Sequence, residues 1–172
     1  MRFGDFLKAT VLLSAGCATL LATVTVLGIA REDDRVVIYV TGAWWLLAIA
    51  IGISLGSRTS ASPPIARLLA SARGQTTLPE LSPGSTLMNR LWPLLLSAIG
   101  AAGLSFVEPQ VSSVAAGFTI IWALAWRTQE SAVLAIEERD GVRFYVDRTS
   151  PFSPIRLIRT PGFGGDFVPR PS

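Results

Sequence analysis

The sequence predicts an all-α membrane protein whose four transmembrane helices form two helical hairpins. Half of its 172 residues are hydrophobic and only 16% are charged, compared with ~25% charged residues in a soluble domain. The mean hydropathy of +0.48 points the same way. Four stretches lack charged side chains and are long enough to cross a hydrocarbon core of ~30 Å as helices: Ala9–Ala30, Val36–Ser57, Leu91–Val107 and Pro109–Trp126.

The first hairpin covers residues 1–57, and its two helices are joined by the short turn 31–35. So short a connection predicts antiparallel neighbours. An alternative is a lipoprotein signal peptide, because the residues before Cys17 faintly resemble a cleavage box. The apolar run continues from Cys17 to Ala30, which is longer than a signal peptide requires and favours a transmembrane helix.

Residues 58–90 form a linker rich in Ser, Thr, Pro and Gly. Ser62 followed by two prolines is a helix start signal, and Gly74 is a stop signal. The intervening segment carries an apolar stripe that includes Ile65 and Leu69, with interleaved arginines. We expect a short helix lying on the membrane surface or on a partner. A solvated surface turn is the alternative.

The second hairpin covers residues 91–126 and turns at Glu108, Pro109 and Gln110. Pro109 suits the first turn of its second helix, where the missing N–H has no partner to lose. Pro93 is less easily placed. If the helix begins after Ser85, Pro93 lies inside it and should bend it.

The tail, residues 127–172, is predicted to contain a small cytoplasmic β-hairpin followed by an extended Pro/Gly-rich segment. Val142–Asp147 alternates at strand period, and Ala132–Glu137 would be its partner. In the competing interpretation, the fourth transmembrane helix continues through Glu130–Glu138 and stops at Gly141, which leaves one strand. The remaining tail is too rich in Pro and Gly to build a core of its own.

Charge distribution predicts which parts face the cytoplasm. The turn 31–35 is acidic overall, and the second turn contains only Glu108, whereas most basic residues lie in the N-terminus, linker and tail. The positive-inside rule therefore places both termini and the linker in the cytoplasm. Arginine greatly outnumbers lysine, which favours a GC-rich bacterium and hence the bacterial cytoplasmic membrane.

Small residues recur at helical spacing in three of the predicted spans. Such stripes let helix backbones approach closely in lipid, where there is little hydrophobic drive for association. The stripes predict helix packing through Ala48, Gly52 and Gly56, through Ser97, Ala101 and Ser105, and through Ser113 and Gly117.

Several chemistries lack the residues they need. The chain has no histidine and one cysteine, which excludes imidazole bases, His-ligated metals and internal disulfides. The pattern Gly52–Gly56 matches the G-x-S-x-G motif of serine hydrolases, but it lies in a predicted helix and has no histidine base. Because the spans also lack ionised groups, we expect no enzyme activity, no cofactor and no metal.

These observations favour a non-catalytic accessory, scaffold or assembly subunit of a larger membrane complex. Its partners would be other membrane-protein subunits and anionic lipid headgroups, and not nucleic acid. Ile155–Arg159 could add as a strand to a partner's sheet. The alternative is a small transporter or lipid-handling protein with a polar pocket between helices near the bent third span. The predicted docking residues are Phe144, Tyr145, Pro151, Arg156 and Arg159.

Overall fold

A computed structural model describes residues 1–32, 35–57, 60–75, 83–147 and 155–161. Helix dominates this part of the chain, as predicted. The helices are α1 (Phe3–Glu32), α2 (Arg35–Gly56), α3 (Pro63–Ala70), α4 (Pro83–Leu104), α5 (Pro109–Trp126) and α6 (Gln129–Asp140). The strands are β1 (Arg73–Gly74), β2 (Val142–Val146) and β3 (Leu157–Pro161).

Three helices of the described chain are long and apolar enough to cross a membrane. They comprise Phe3–Ala30 of α1, Arg35–Gly56 of α2 and Gly84–Leu104 of α4. Their outer surfaces carry large apolar side chains, and Leu46 and Ile99 are 71% and 68% exposed. Continuous apolar surface of this kind suits hydrocarbon rather than water. The membrane character predicted from composition is confirmed for these helices.

Helix α5 is the central element of the bundle, because α1, α2 and α4 all pack against it. Its inner faces are lined by small residues, among them Ser112, Ser113, Ala116 and Gly117. Helices α1 and α2 contact α5 far more extensively than they contact each other. The two predicted hairpins therefore do not pack as separate pairs, because the small residues of α5 let both neighbours approach it.

Helices α2 and α5 approach each other closely at their glycines. A β-carbon added to Gly52 would lie 2.8 Å from Leu124 Cβ and 3.2 Å from Ile121 Cα. At Gly117, an added β-carbon would collide with the indole of Trp44. These glycines provide the space that the neighbouring helix occupies.

The strands form one sheet in the order β1-β3-β2. Strand β3 pairs in parallel with β1 and antiparallel with β2, with Phe144 opposite Arg159. The predicted hairpin between Ala132–Glu137 and Val142–Asp147 is wrong, because the first of these segments belongs to α6. The competing interpretation is right that helix reaches Gly141, but α6 is a helix separate from α5, and the sheet has three strands rather than one.

The end of α6 has a clear physical cause. Gly141 adopts the left-handed conformation with φ of 62° and donates its N–H to the Glu137 carbonyl. Glycine reaches this conformation without the steric penalty that a β-carbon brings. The preceding residues are good helix formers, so helix persists up to this cap.

We call the group formed by α3, α6 and the three strands the sheet layer. Its core joins Ile65 of α3, Val133 of α6, Phe144 of β2 and Leu157 of β3 to Phe3 at the start of α1. Helix α3 begins after Ser62 as predicted. Its apolar stripe, however, packs into this internal core rather than on a membrane surface or a partner, because the sheet provides an apolar face to cover it.

Substitution of Gly52 by alanine tests the α2–α5 contact. The new methyl group must displace backbone and Cβ atoms of α5, so Gly52→Ala should destabilise the bundle by about 1–3 kcal/mol. Gly42→Ala in the same helix is the matched control, because a β-carbon there meets nothing within 4 Å. Thermal unfolding in mild detergent, followed by tryptophan fluorescence, should show a lower midpoint only for Gly52→Ala. Equal midpoints for the two variants would contradict the close packing.

Candidate functional site

Hydroxyl groups inside the bundle join its helices to one another. The hydroxyls of Thr25 and Ser112 are hydrogen-bonded at 2.8 Å, and those of Thr41 and Ser113 at 3.1 Å. The indole of Trp45 donates to the Ser113 carbonyl at 3.0 Å. In the described part of the chain, every buried side-chain nitrogen or oxygen has a hydrogen-bond partner. The polar groups of the bundle therefore hold α1 and α2 onto α5.

Two further hydrogen bonds fix the sheet layer, one inside the layer and one to the bundle. The side-chain oxygen of Gln129 accepts from the Ser62 N–H at 2.8 Å, which ties α6 to the start of α3. The Thr128 hydroxyl donates to the Gly56 carbonyl at 3.1 Å, at the end of α2. Gln129 is only 3% exposed, so its hydrogen bond is shielded from water. A hydrogen bond is electrostatically stronger in such surroundings, and this one positions α6 against the start of α3. The Gln129 bond thus joins two elements of the layer, and the Thr128 bond holds the layer to α2.

The outer edge of β2 is closed within the chain. The Phe144 N–H donates to Glu137 Oε1 at 2.8 Å, and the Val146 N–H donates to the Met1 carbonyl at 3.0 Å. Exposed sheet edges recruit other strands unless they are blocked. Here a carboxylate and a main-chain carbonyl occupy those positions. The sequence does not indicate these roles of Gln129 and Glu137. Each side chain accepts a hydrogen bond from a residue in another element, and hydrophobic periodicity does not predict such a pairing.

Two predicted docking residues are not at the surface. Phe144 and Tyr145 are 3% and 6% exposed, because the sheet in which they lie is covered by the chain itself. Arg156 and Arg159 are exposed, whereas Pro151 lies outside the described residues. The expectation that Phe144 and Tyr145 contact a partner is therefore corrected, and the arginines remain as surface candidates.

The predicted pairing of Ile155–Arg159 with a partner's sheet also needs correction. A strand does form in this region, at Leu157–Pro161, but it is the middle strand of the chain's own sheet. Both of its edges are hydrogen-bonded to β1 and β2. Within the described part of the chain, Ile158 and Arg159 therefore have a strand on each side.

Most residues of the predicted small-residue stripes face the interior of the bundle. Ser97 is the exception, because it is exposed and its hydroxyl donates to the Leu94 carbonyl of its own helix at 2.9 Å. Its neighbour Ala98 occupies the inner face instead. The residues that are buried as expected are Ala48, Gly52, Gly56, Ala101, Ser105, Ser113 and Gly117.

A cavity of about 420 Å³ lies where the ends of α1, α4 and α5 meet α3. Phe6, Pro93 and Trp126 contribute to its walls, and Trp126 stacks on Trp122 with ring centroids 5.4 Å apart. Arg90 also lines it. The sequence interpretation expected a polar pocket near mid-membrane, but this cavity is mainly apolar and lies at the layer end of the bundle. The sequence does not indicate Arg90 as a cavity residue. It lies immediately before an apolar span, where a basic residue is ordinarily interpreted as a sign of membrane orientation.

The described part of the layer exposes more arginines than acidic side chains. The exposed arginines are Arg67, Arg73, Arg139, Arg156 and Arg159, with Arg127 just before α6, whereas the exposed acids are Glu138 and Asp140. At the end of α6, a hydrogen bond of 2.8 Å from Arg139 holds the pKa of the Asp140 carboxyl below its usual value. Both residues of that pair are at the surface, where solvent screening makes an ion pair contribute little to the free energy of unfolding.

Substitutions at Glu137 test how the β2 edge is closed. Glu137→Ala leaves the buried Phe144 N–H without an acceptor, at a cost of about 1–3 kcal/mol. Hydrogen exchange at the Phe144 amide should therefore become about tenfold faster or more. Glu137→Gln keeps an acceptor oxygen and should remain close to wild type. Unchanged protection in Glu137→Ala would show that the carboxylate does not hold this edge.

The chain matches no known family model, no curated protein and no solved structure. Its function is therefore inferred from the contacts and charges of its own residues.

Proposed function

We propose that this chain is a non-catalytic accessory, scaffold or assembly subunit of a larger membrane complex in a bacterial cytoplasmic membrane. The observation that carries the proposal is the rigid attachment of a basic sheet layer to an apolar bundle. The Thr128 hydroxyl bonds the start of α6 to the end of α2, and the layer shares its core with the start of α1. Its exposed arginines are thereby held at a fixed position relative to the membrane, as a docking subunit requires.

The use of the buried polar groups supports this role. In the bundle, Thr25, Thr41 and both serines at the start of α5 bond helix to helix. In the layer, Gln129 and Glu137 bond to main-chain N–H groups. These side chains act on the architecture of the chain rather than on a substrate.

We further propose that α5 is a fourth span and that the sheet layer is cytoplasmic. The start of α1 and residues of α4 and α5 share one core with the layer, and α2 ends at the bond from Thr128. The connections that follow α1 and α4 then lie at the opposite end of the bundle. The basic character of the layer supports the cytoplasmic side through the positive-inside rule.

A lipid-handling or transport role is the second candidate. The observation that favours it is the cavity beside Pro93, whose volume of about 420 Å³ falls in the range of small-molecule sites. Its walls are apolar, which suits a lipid chain better than a polar solute. This role and the subunit role are compatible in one molecule.

Cysteine labelling tests the fourth span. In a Cys17→Ala background, Ser131→Cys on α6 and Gln110→Cys at the start of α5 place single thiols at two exposed positions. If α5 crosses the membrane with the layer inside, an impermeant maleimide should label Gln110→Cys in intact cells. Ser131→Cys should react only after permeabilisation. Labelling of both positions from the same side would contradict the crossing.

Charge reversal beside the central strand tests docking. The double variant Arg156→Glu/Arg159→Glu should recover about tenfold less partner in mild-detergent purification followed by mass spectrometry, since unfavourable interface charges weaken association. Point substitutions are preferable to deletion of residues 151–172, because that deletion would remove β3 and with it the sheet.

The control for this experiment keeps the net charge the same. Arg67→Glu/Arg127→Glu reverses two other exposed arginines of the described chain and should retain the partner. Equal loss in both double variants would indicate general charge attraction. Recovery of no stoichiometric partner with the wild-type chain would contradict the subunit role itself.

A further inference from the structure

The cavity between the bundle and the sheet layer has a deep apolar floor. Phe3, Leu7 and Ile65 line it and are at most 1% exposed. Its volume of about 420 Å³ falls in the range of small-molecule sites and exceeds the voids that close-packed protein interiors leave. The cavity is therefore a candidate binding site rather than a packing defect.

The polar groups of the cavity wall are already in use. The Thr10 hydroxyl donates to the Phe6 carbonyl at 2.8 Å, and Arg90 has an interaction partner within the chain. In the described residues, no buried side-chain nitrogen or oxygen lacks a hydrogen-bond partner. A water molecule in a cavity needs about two to four polar partners. This wall therefore suits a hydrocarbon better than water or a polar solute.

The cavity reaches the outer surface of two long helices. Pro93 of α4 and Trp122 of α5 both line it, and both are exposed. Pro64, at the start of α3, is a third exposed residue of the lining. Helix α4 is long and apolar enough to cross a membrane, so its outer surface faces lipid. The exposed side of the cavity therefore lies where acyl chains surround the protein.

We propose that one acyl chain of a membrane phospholipid enters this cavity from the bilayer, between Pro93 and Trp122. The chain fits the three features together, because it is apolar, needs no hydrogen bond and is present at the opening. Since the polar groups of the wall are already bonded, the cavity selects the chain and not the headgroup. This inference rests on the second candidate role, whose cavity it assigns, and not on the subunit role.

Photolabelling of the full chain in a bilayer tests the proposal. The protein is placed in phosphatidylcholine nanodiscs that contain a phosphatidylcholine with a diazirine at the end of one acyl chain. Leu7 and Ile65 are buried, so a carbene can reach them only from inside the cavity. We expect adducts at both residues by peptide mass spectrometry. Leu46, which is 71% exposed on α2, is the reference for the surrounding lipid.

Substitutions of Leu94 change the volume of the cavity without changing its charge. Leu94 lines the cavity, so Leu94→Trp should fill it and reduce the Leu7 adduct about tenfold relative to the Leu46 adduct. Leu94→Ala enlarges the cavity and should keep the Leu7 adduct. Leu96→Trp is the matched control, because Leu96 is 61% exposed on the outer face of α4. Gel filtration and the Leu46 adduct show whether each variant remains folded and inserted.

The outcomes distinguish the possible occupants. Phosphatidylglycerol with the same photoreactive chain should label Leu7 as strongly as phosphatidylcholine does, and a tenfold preference for either headgroup would overturn selection by the chain alone. A free fatty acid with that chain is compared at the same mole fraction. Tenfold stronger labelling by the fatty acid would overturn the phospholipid assignment. Labelling of the isolated chain that disappears in a purified complex would identify a partner protein as the occupant and overturn it as well.

Further measurements on the same variants separate this site from the proposed functions. Partner recovery in mild detergent reports on the subunit role, and it should be the same for Leu94→Trp and wild type. Transfer of a fluorescent phospholipid between vesicles reports on the lipid-handling role. Adducts at Leu7 without transfer would contradict that role and still support the site. Absence of adducts at Leu7 and Ile65 in the wild-type chain would overturn the site, whatever the rate of transfer.

Discussion

Close packing on α5 is the constraint on which the rest of this structure depends. In lipid, helices gain little from the hydrophobic effect when they associate, so dispersion and short polar contacts must hold them together. Gly52 and Gly117 remove the side chains that would separate α2 from α5. Ser112 and Ser113 then bond in two directions, to α1 and to α2. Because α6 follows α5 almost directly, the same packing also positions the sheet layer.

The helical part of the fold was predictable because its signals are local. Charge-free stretches identify spans by length alone, and Ser62 with two prolines identifies the start of α3. The sheet was not predictable in the same way. Strand β3 pairs with β1, a segment more than eighty residues earlier in the sequence. The local pattern of apolar and polar residues does not show which distant strands pair. For Ala132–Glu137, helix propensity and the Gly141 cap outweighed the pattern that favoured a strand.

The residues of the candidate site also differ in whether the sequence could predict their roles. Small-residue spacing identified Gly52 and Gly117, because a helix face is a local property. Exposure is not local, so Phe144 and Tyr145 could not be assigned to the interior before the sheet was known. Arg90 is the clearest case. Its sequence neighbours suggest a charge at the end of a span, whereas its role as a cavity wall depends on α1, α3 and α5.

The cavity and the exposed arginines of the sheet layer share a structural element. Ile155 lines the cavity, and the next residue, Arg156, is exposed on the layer. The main chain of Arg156 accepts from the Asp147 N–H at 2.9 Å, so this segment is already fixed on one side by β2. On the other side Ile155 packs against the core that joins the sheet layer to the start of α1. The segment that presents Arg156 is therefore held from both sides within the chain, and a surface that is ordered before binding loses less entropy when a partner docks.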